Sequence, residues 1–320
     1  MLMPDFGKKG LFVFSDPGGA KPILSYILLN NLAEHSFVIS DRVYDFYSDF
    51  QLSVNEFLGD VEAVIQDVKP DYLFTGTSYT SKIEVQFIKA AKTKGIATYS
   101  FIDYYTNFKE RFHLQGDEHV YPDHICVIDL KAENIAKEIL TESIITNTGN
   151  FYHAYLKGWQ PLRNKESFFN QLKIPLSKKL LVFAPDPLSN VDGKKKTGLD
   201  ENTVWLNLAN ALFFLEKENY LLIIKLHPNQ KKKKILPLIY QHKNIEFRFA
   251  DDLHTNTLLY HADAIIGMFS NILIESSILH RQVIRCLIGL TGVDLLKDKG
   301  VGYVVNTQEE LENLLKKIVA

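Results

Sequence analysis

Short runs of consecutive apolar residues alternate along this chain with longer stretches whose apolar positions recur every three or four residues. The runs 11–15, 36–40, 72–75, 97–102, 125–128 and 144–147 are too apolar to leave one face in water, so they predict strands covered on both sides. Between them, 23–32, 61–68, 82–92 and 132–140 carry helical spacing, and Lys69-Pro70 and Gly95 close two of these segments. No hairpin turn signal joins the strands. Strand, helix, strand without hairpins means that each strand returns parallel to its neighbour through a helical crossover.

The rhythm lapses over 151–177, a stretch bearing Trp, Pro and charges that predicts a connector. A second series then begins, with strands at 179–183, 220–226, 245–249, 264–268, 283–288 and 303–305 and helices at 203–215, 257–261, 272–279 and 308–318. The segment 191–200, with Lys194-Lys195-Lys196 and two glycines, reads as a mobile loop. The expected fold class is α/β: two Rossmann-like doubly wound parallel-sheet domains, 1–150 and 178–320, facing each other across a cleft.

Composition narrows the picture. The chain has 320 residues, 46% apolar and 23% charged, which is globular rather than disordered or fibrous. A formal net charge of -2 supplies no field that would draw nucleic acid. Cys126 and Cys286 lie far apart in apolar surroundings and suit buried free thiols in a reducing compartment. No apolar run reaches the length of a bilayer span and the first residues lack a signal-peptide pattern, so a cytoplasmic protein is expected. The Lys231 to Lys234 run reads first as a solvated helix start. It also suits attraction to phosphate or peripheral association with an anionic inner membrane face.

Ligands of open α/β sheets bind beyond the carboxyl ends of the strands, which directs attention to the residues that follow each run. Asp16 ends the first strand, ahead of Gly18 and Gly19, whose missing side chains would let a ligand approach the backbone. Asp16 is a candidate general base there, or equally a helix cap. Asp103 ends a later strand and opens an aromatic loop, 103–112, with Lys109, Glu110 and Arg111; the rings suit sugar stacking or simple packing on the domain. His227 ends an apolar strand before Pro228, where a protonated imidazole would neutralise a phosphate leaving group. At 264–268 a strand turns at Phe269-Ser270-Asn271 into a helix. Ser270 or Asn271 would cap it, its free N–H groups would suit a phosphate, and Glu275 would sit one turn on from Asn271 for ribose hydroxyls. An ordinary capped helix with Glu275 in solvent fits the same letters.

Lys225-Leu226-His227-Pro228 followed by Ser270-Asn271-x-x-x-Glu275 resembles the donor half of GT-B glycosyltransferases, most of all the bacterial capsule and surface-polysaccharide transferases with a His-Pro motif. The resemblance implies sugar transfer from a nucleotide-sugar co-substrate to a hydroxyl on a glycan or lipid-linked acceptor. It assigns Lys225, His227, Pro228, Ser270 and Asn271 to the nucleotide phosphates and Glu275 to the ribose. Asp16, with Asp103 second, becomes the base, and Gly18, Gly19 and Arg111 border the acceptor. No Asp-x-Asp element calls for a metal, and Val283, eight positions after Glu275, stands where many retaining members carry a second glutamate, which favours inversion. Thr148-Gly149-Asn150, His227-Pro228-Asn229 and Gly300-Val301-Gly302 also resemble the UDP-N-acetylglucosamine 2-epimerases, although their Ser-Gly-Gly turn is replaced by Phe269-Ser270-Asn271. An epimerase, or a non-catalytic nucleotide-sugar-binding subunit, is the alternative.

Overall fold

The computed structural model describes residues 8–191, 193–227, 230–242 and 244–320. They form two compact units, Met1–Gly158 and Trp159–Ala320. The first holds seven strands, β1 (Gly10–Phe14), β2 (Ser36–Ser40), β3 (Val54–Glu56), β4 (Tyr72–Thr75), β5 (Ala97–Ile102), β6 (His124–Val127) and β7 (Ile144–Asn147). Every pairing is parallel, in the order β3-β2-β1-β4-β5-β6-β7. Its helices are α1 (Pro17–Leu29), α2 (Val61–Val68), α3 (Ile83–Thr93), α4 (Leu130–Ile139) and α5 (Phe151–Leu156).

Strand β1 shows why the sequence runs apolar without alternation. Leu11 and Val13 pack with Phe87 and Ile88 of α3 on one face of the sheet. Phe12, pointing the other way, meets Tyr26 of α1 and Phe74 of β4. All four residues Leu11 to Phe14 are fully buried; burying such side chains contributes about 1.5–3 kcal/mol each. Strand β3 escapes the apolar pattern because Val54-Asn55-Glu56 is a short, mostly exposed edge strand.

The second unit holds β8 (Lys179–Phe183), β9 (Tyr220–Ile224), β10 (Phe247–Phe249), β11 (Ala264–Gly267), β12 (Gln282–Cys286) and β13 (Tyr303–Val305). These are again all parallel, in the order β10-β9-β8-β11-β12-β13. Helices α6 (Lys165–Leu172), α7 (Gly193–Thr197), α8 (Glu201–Phe213), α9 (Lys232–Ile239), α10 (Thr255–His261), α11 (Asn271–Ile278) and α12 (Gln308–Val319) complete it. Trp205 of α8 is fully buried beside Phe183, and Leu311 and Leu315 of α12 close the same core.

Two stretches differ from the sequence pattern. The expected connector 151–177 contains helices of both units. Phe151 of α5 packs 5.1 Å from the Tyr26 ring in the first unit, and Phe168 of α6 stacks 5.3 Å from His261 in the second. Part of 191–200, expected to be a mobile loop, forms the short helix α7. Cys126 and Cys286 are free and buried, and burial pushes their thiols up to about 12 and about 11. Among the described residues, no helix is long and apolar enough to cross a membrane.

Candidate functional site

Each sheet reverses its strand order beside its first strand: β1 lies between β2 and β4, and β8 between β9 and β11. That reversal opens a crevice at the carboxyl edge, because the crossovers on either side leave in opposite directions. In both units an aspartate at the end of the first strand reaches across the crevice to the loop beyond the neighbouring strand. Asp16 accepts from the Ser78 hydroxyl after β4, and Asp186 accepts from the Phe269 N–H after β11.

In the first unit, Asp16 occupies the N-cap position of α1 without making a side-chain capping bond. Its second oxygen instead pairs with Arg42, which follows β2 and also donates to Thr80 Oγ1 at 3.1 Å. Ser78 Oγ in turn accepts from the N–H groups of Thr80 and Ser81, both at 3.1 Å. Asp16 is thus a carboxylate on a rigid polar frame and remains partly exposed, at 27%. Asp103 after β5 accepts from Arg111 at 2.8 Å. Arg111 is buried and also donates to the Thr77 carbonyl and hydroxyl, each at 2.9 Å, so it fastens the β4 and β5 loops together. Burial and these partners make Arg111 a positioning group for Asp103.

The glycines serve the same packing. A Cβ on Gly18 would fall 1.9 Å from Asp103 Oδ2, and one on Gly19 would fall 2.9 Å from Gly76 Cα. Gly18 thus leaves room for the Asp103 carboxylate, and Gly19 for the backbone at Gly76.

Beneath this frame lies Glu84 in the first turn of α3, which sequence reasoning missed. One oxygen accepts from Ser15 N at 3.0 Å, and the other is buried with no hydrogen-bond partner among the described residues. Burial pushes its pKa up to about 8, and the nearby Asp16 and Asp41 charges add to the effect. The letters Ser81-Lys82-Ile83-Glu84 read as an ordinary helix start; only the sheet above shows that Glu84 is enclosed.

In the second unit, Ser270, one of the two expected caps, takes the N-cap position of α11, and its side chain makes no capping bond. No acidic residue occupies the first turn. Asn271 is exposed, whereas Glu275 is buried at 8%, which removes the alternative of a solvent-facing carboxylate. Asp186, also missed, is buried, and burial pushes its pKa up to about 6 against the opposing N–H groups of Phe269, Met268 and Ser270.

At the end of β9, Lys225 N donates to Phe183 O at 2.8 Å, carrying the β8–β9 pairing one residue further. His227 is half-buried, and its N–H donates to Gln230 Oε1 at 3.0 Å. Burial lowers its pKa, and the Lys225 charge lowers it further. Without an anion beside it, this environment favours the neutral imidazole. Pro228 lies outside the described residues. In the lysine run, Lys232 pairs with Asp251 and covers the Phe249 ring at 4.9 Å.

No protein-family model matches the sequence, and no curated protein sequence matches it. Solved structures do. The chain is similar to the UDP-GlcNAc 2-epimerase from Methanocaldococcus jannaschii at 15% identity and a TM-score of 0.66, covering 97% of this chain and 92% of that one. It is similar to the UDP-GlcNAc 2-epimerase from Neisseria meningitidis, bound to UDP-GlcNAc, at 16% identity and a TM-score of 0.65, covering 97% and 91%. TcCGT1 in complex with UDP matches at 11% identity and a TM-score of 0.54 over 98% and 91%. At such identities the likeness is one of fold: the chain consists of two Rossmann-like parallel-sheet α/β units of the GT-B type.

Proposed function

We propose that the protein transfers a sugar from a nucleotide-sugar donor to a hydroxyl acceptor, with inversion and without a metal. The observation that carries this reading is the start of α11. A helix N-terminus with no side-chain cap and no first-turn acid stands at the crevice of the second sheet, with Glu275 one turn on. The amides of the first turn and the helix dipole suit a nucleotide phosphate, and Glu275 suits ribose hydroxyls. Lys225 borders the same phosphates. The neighbours solved with UDP or UDP-GlcNAc support a uridine nucleotide as the donor's carrier.

In this mechanism the acceptor hydroxyl attacks the anomeric carbon while a carboxylate of the first unit takes its proton. Asp16 is the preferred base and Asp103 the second. Arg42 and Ser78 orient Asp16, and Arg111 orients Asp103. The bond from the anomeric carbon to the phosphate oxygen breaks as the new one forms. His227 and the Ser270 turn stabilise the charge growing on the leaving phosphate. His227 begins neutral, so it acts first as a hydrogen-bond donor, and the approach of phosphate charge favours its protonation. The acceptor is a glycan or a lipid-linked saccharide of bacterial surface-polysaccharide synthesis.

The likeness to UDP-GlcNAc 2-epimerases over 97% of the chain favours one second reading, conversion of the nucleotide sugar itself. Incubation with UDP-N-acetylglucosamine alone separates the two. Transfer predicts an unchanged donor until an acceptor is added, then release of UDP. Epimerisation predicts the 2-epimer without any acceptor, and that product would overturn the transferase reading.

A further inference from the structure

A recess within the second unit lies at the opposite edge of its sheet from the Ser270 turn. It is an open cavity of 620 Å³ beside the amino ends of β11 and β12, bordered by the segment before α6 and the end of α10. Its volume is that of a small-molecule site. Three cationic side chains, Arg163, Lys165 and Arg281, line it against one carboxylate, Asp263. His261 at its wall adds no charge near neutral pH, because burial lowers its pKa.

Arg281 is held as a fork. Its guanidinium lies over the Tyr260 ring, 5.1 Å from the centroid, and its Nε donates to the Leu279 carbonyl at 2.9 Å. Tyr260 is itself fixed, its hydroxyl donating to Gln160 Oε1 at 2.6 Å and its ring lying 6.0 Å from Trp159. The two terminal nitrogens of Arg281 have no hydrogen-bond partner among the described residues. A stacked guanidinium with unpaired terminal donors loses little freedom on meeting a pair of coplanar oxygens. Across the recess Lys165 is 3.4 Å from Asp263 Oδ1, a long ion pair that an incoming oxyanion can share.

We infer that this recess binds a small oxyanion ligand, a phosphate or carboxylate gripped by the Arg281 fork and by Lys165, at a site separate from the Ser270 turn. The inference is independent of the sugar-transfer reading.

Isothermal titration of the full chain with inorganic pyrophosphate, and in parallel with malonate, tests it and tells the two oxyanion classes apart. Binding of at least one of them is expected in the wild-type chain, with a component that persists in His227→Ala, where the Ser270 turn has lost its imidazole. Arg281→Gln should weaken it by about tenfold or more, Arg281→Lys by less, because it keeps the charge and loses the fork. Lys165→Gln, at an exposed position, gives a second arm should Arg281→Gln fail to fold. Asp263→Asn should tighten binding by removing the competing carboxylate. Absence of binding by both anions at millimolar concentration overturns the proposal. So does binding that Arg281→Gln and Lys165→Gln leave intact while His227→Ala abolishes it, which would assign the anion to the Ser270 turn.

Discussion

The Phe269 N–H donates to Asp186 Oδ2 at 3.0 Å, so the turn that opens α11 is fastened to the end of β8 by a buried carboxylate. The amides of Met268, Phe269 and Ser270 all face that carboxylate, so in the proposed function an anion meets those of the helix that follows. Replacing Asp186 by Ala should destabilise the chain by about 1–3 kcal/mol, because a buried N–H loses its acceptor. It should also weaken UDP binding, whereas Asp186→Asn, which keeps a carbonyl acceptor, should do less of both. Urea unfolding and UDP titration of the two variants provide the check.

Asp186 also ties stability to pH. Its pKa rises from 3.8 to about 6 on folding, so the folded state holds this proton more tightly. The contribution is fully present below pH 4 and is lost as pH rises through 6, a change of about 3 kcal/mol. Asp186→Asn should flatten the stability profile over that window, and an unchanged profile would contradict the assignment.

Glu84 gives the same sign over a higher window. Its pKa rises from 4.5 to about 8 in the fold, so stability declines as pH climbs from 4.5 through 8, by about 3 kcal/mol at pH 7. Glu84→Gln removes the ionisation and should be more stable than the wild type at pH 8 and above. Denaturation midpoints at pH 5, 7 and 9 decide it: the gap between the two proteins should be smallest at pH 5, clear by pH 7 and widest at pH 9.

His227 runs the other way. Burial and Lys225 lower its pKa below 6.5, so its contribution to stability is present above pH 6.5 and is lost as pH falls. A bound phosphate reverses the local field and favours the imidazolium, so UDP affinity should rise as pH falls through this region. His227→Ala should abolish that pH dependence. It should also lower turnover by roughly a hundredfold, equivalent to about 3 kcal/mol of transition-state stabilisation. Calorimetry in buffers of different ionisation heat would count the proton taken up.

Arg111 and Gly18 test the frame around Asp103. Arg111→Ala leaves Asp103 and the Thr77 carbonyl without their donor and should destabilise by about 1–3 kcal/mol, Asp103 being partly exposed to water. Gly18→Ala drives a methyl into the Asp103 carboxylate and should displace it, destabilising by about 1–3 kcal/mol. Should either variant melt at the wild-type temperature, the packing argument for these two positions fails.

The sequence by itself determined the parallel α/β architecture, because a strand covered on both faces must be apolar throughout, as Leu11 to Phe14 and Tyr220 to Ile224 are. It also picked out Asp16, Asp103, His227 and Ser270, since residues just past such runs stand at the carboxyl edge by topology alone. The short edge strand β3 left too weak a trace, and α5 looked like linker because its partner, Tyr26, lies more than a hundred residues upstream. Only the tertiary structure decided what each polar group does. Arg42 and Asp16 are 26 positions apart, Ser78 and Asp16 are 62, and Phe269 and Asp186 are 83. Arg111 is likewise joined to Thr77 across 34 positions, and it is burial in the fold, more than its neighbour Lys225, that lowers the His227 pKa. Burial and neighbouring charge set a side chain's protonation and its partners, and both are properties of three-dimensional packing that local sequence does not carry.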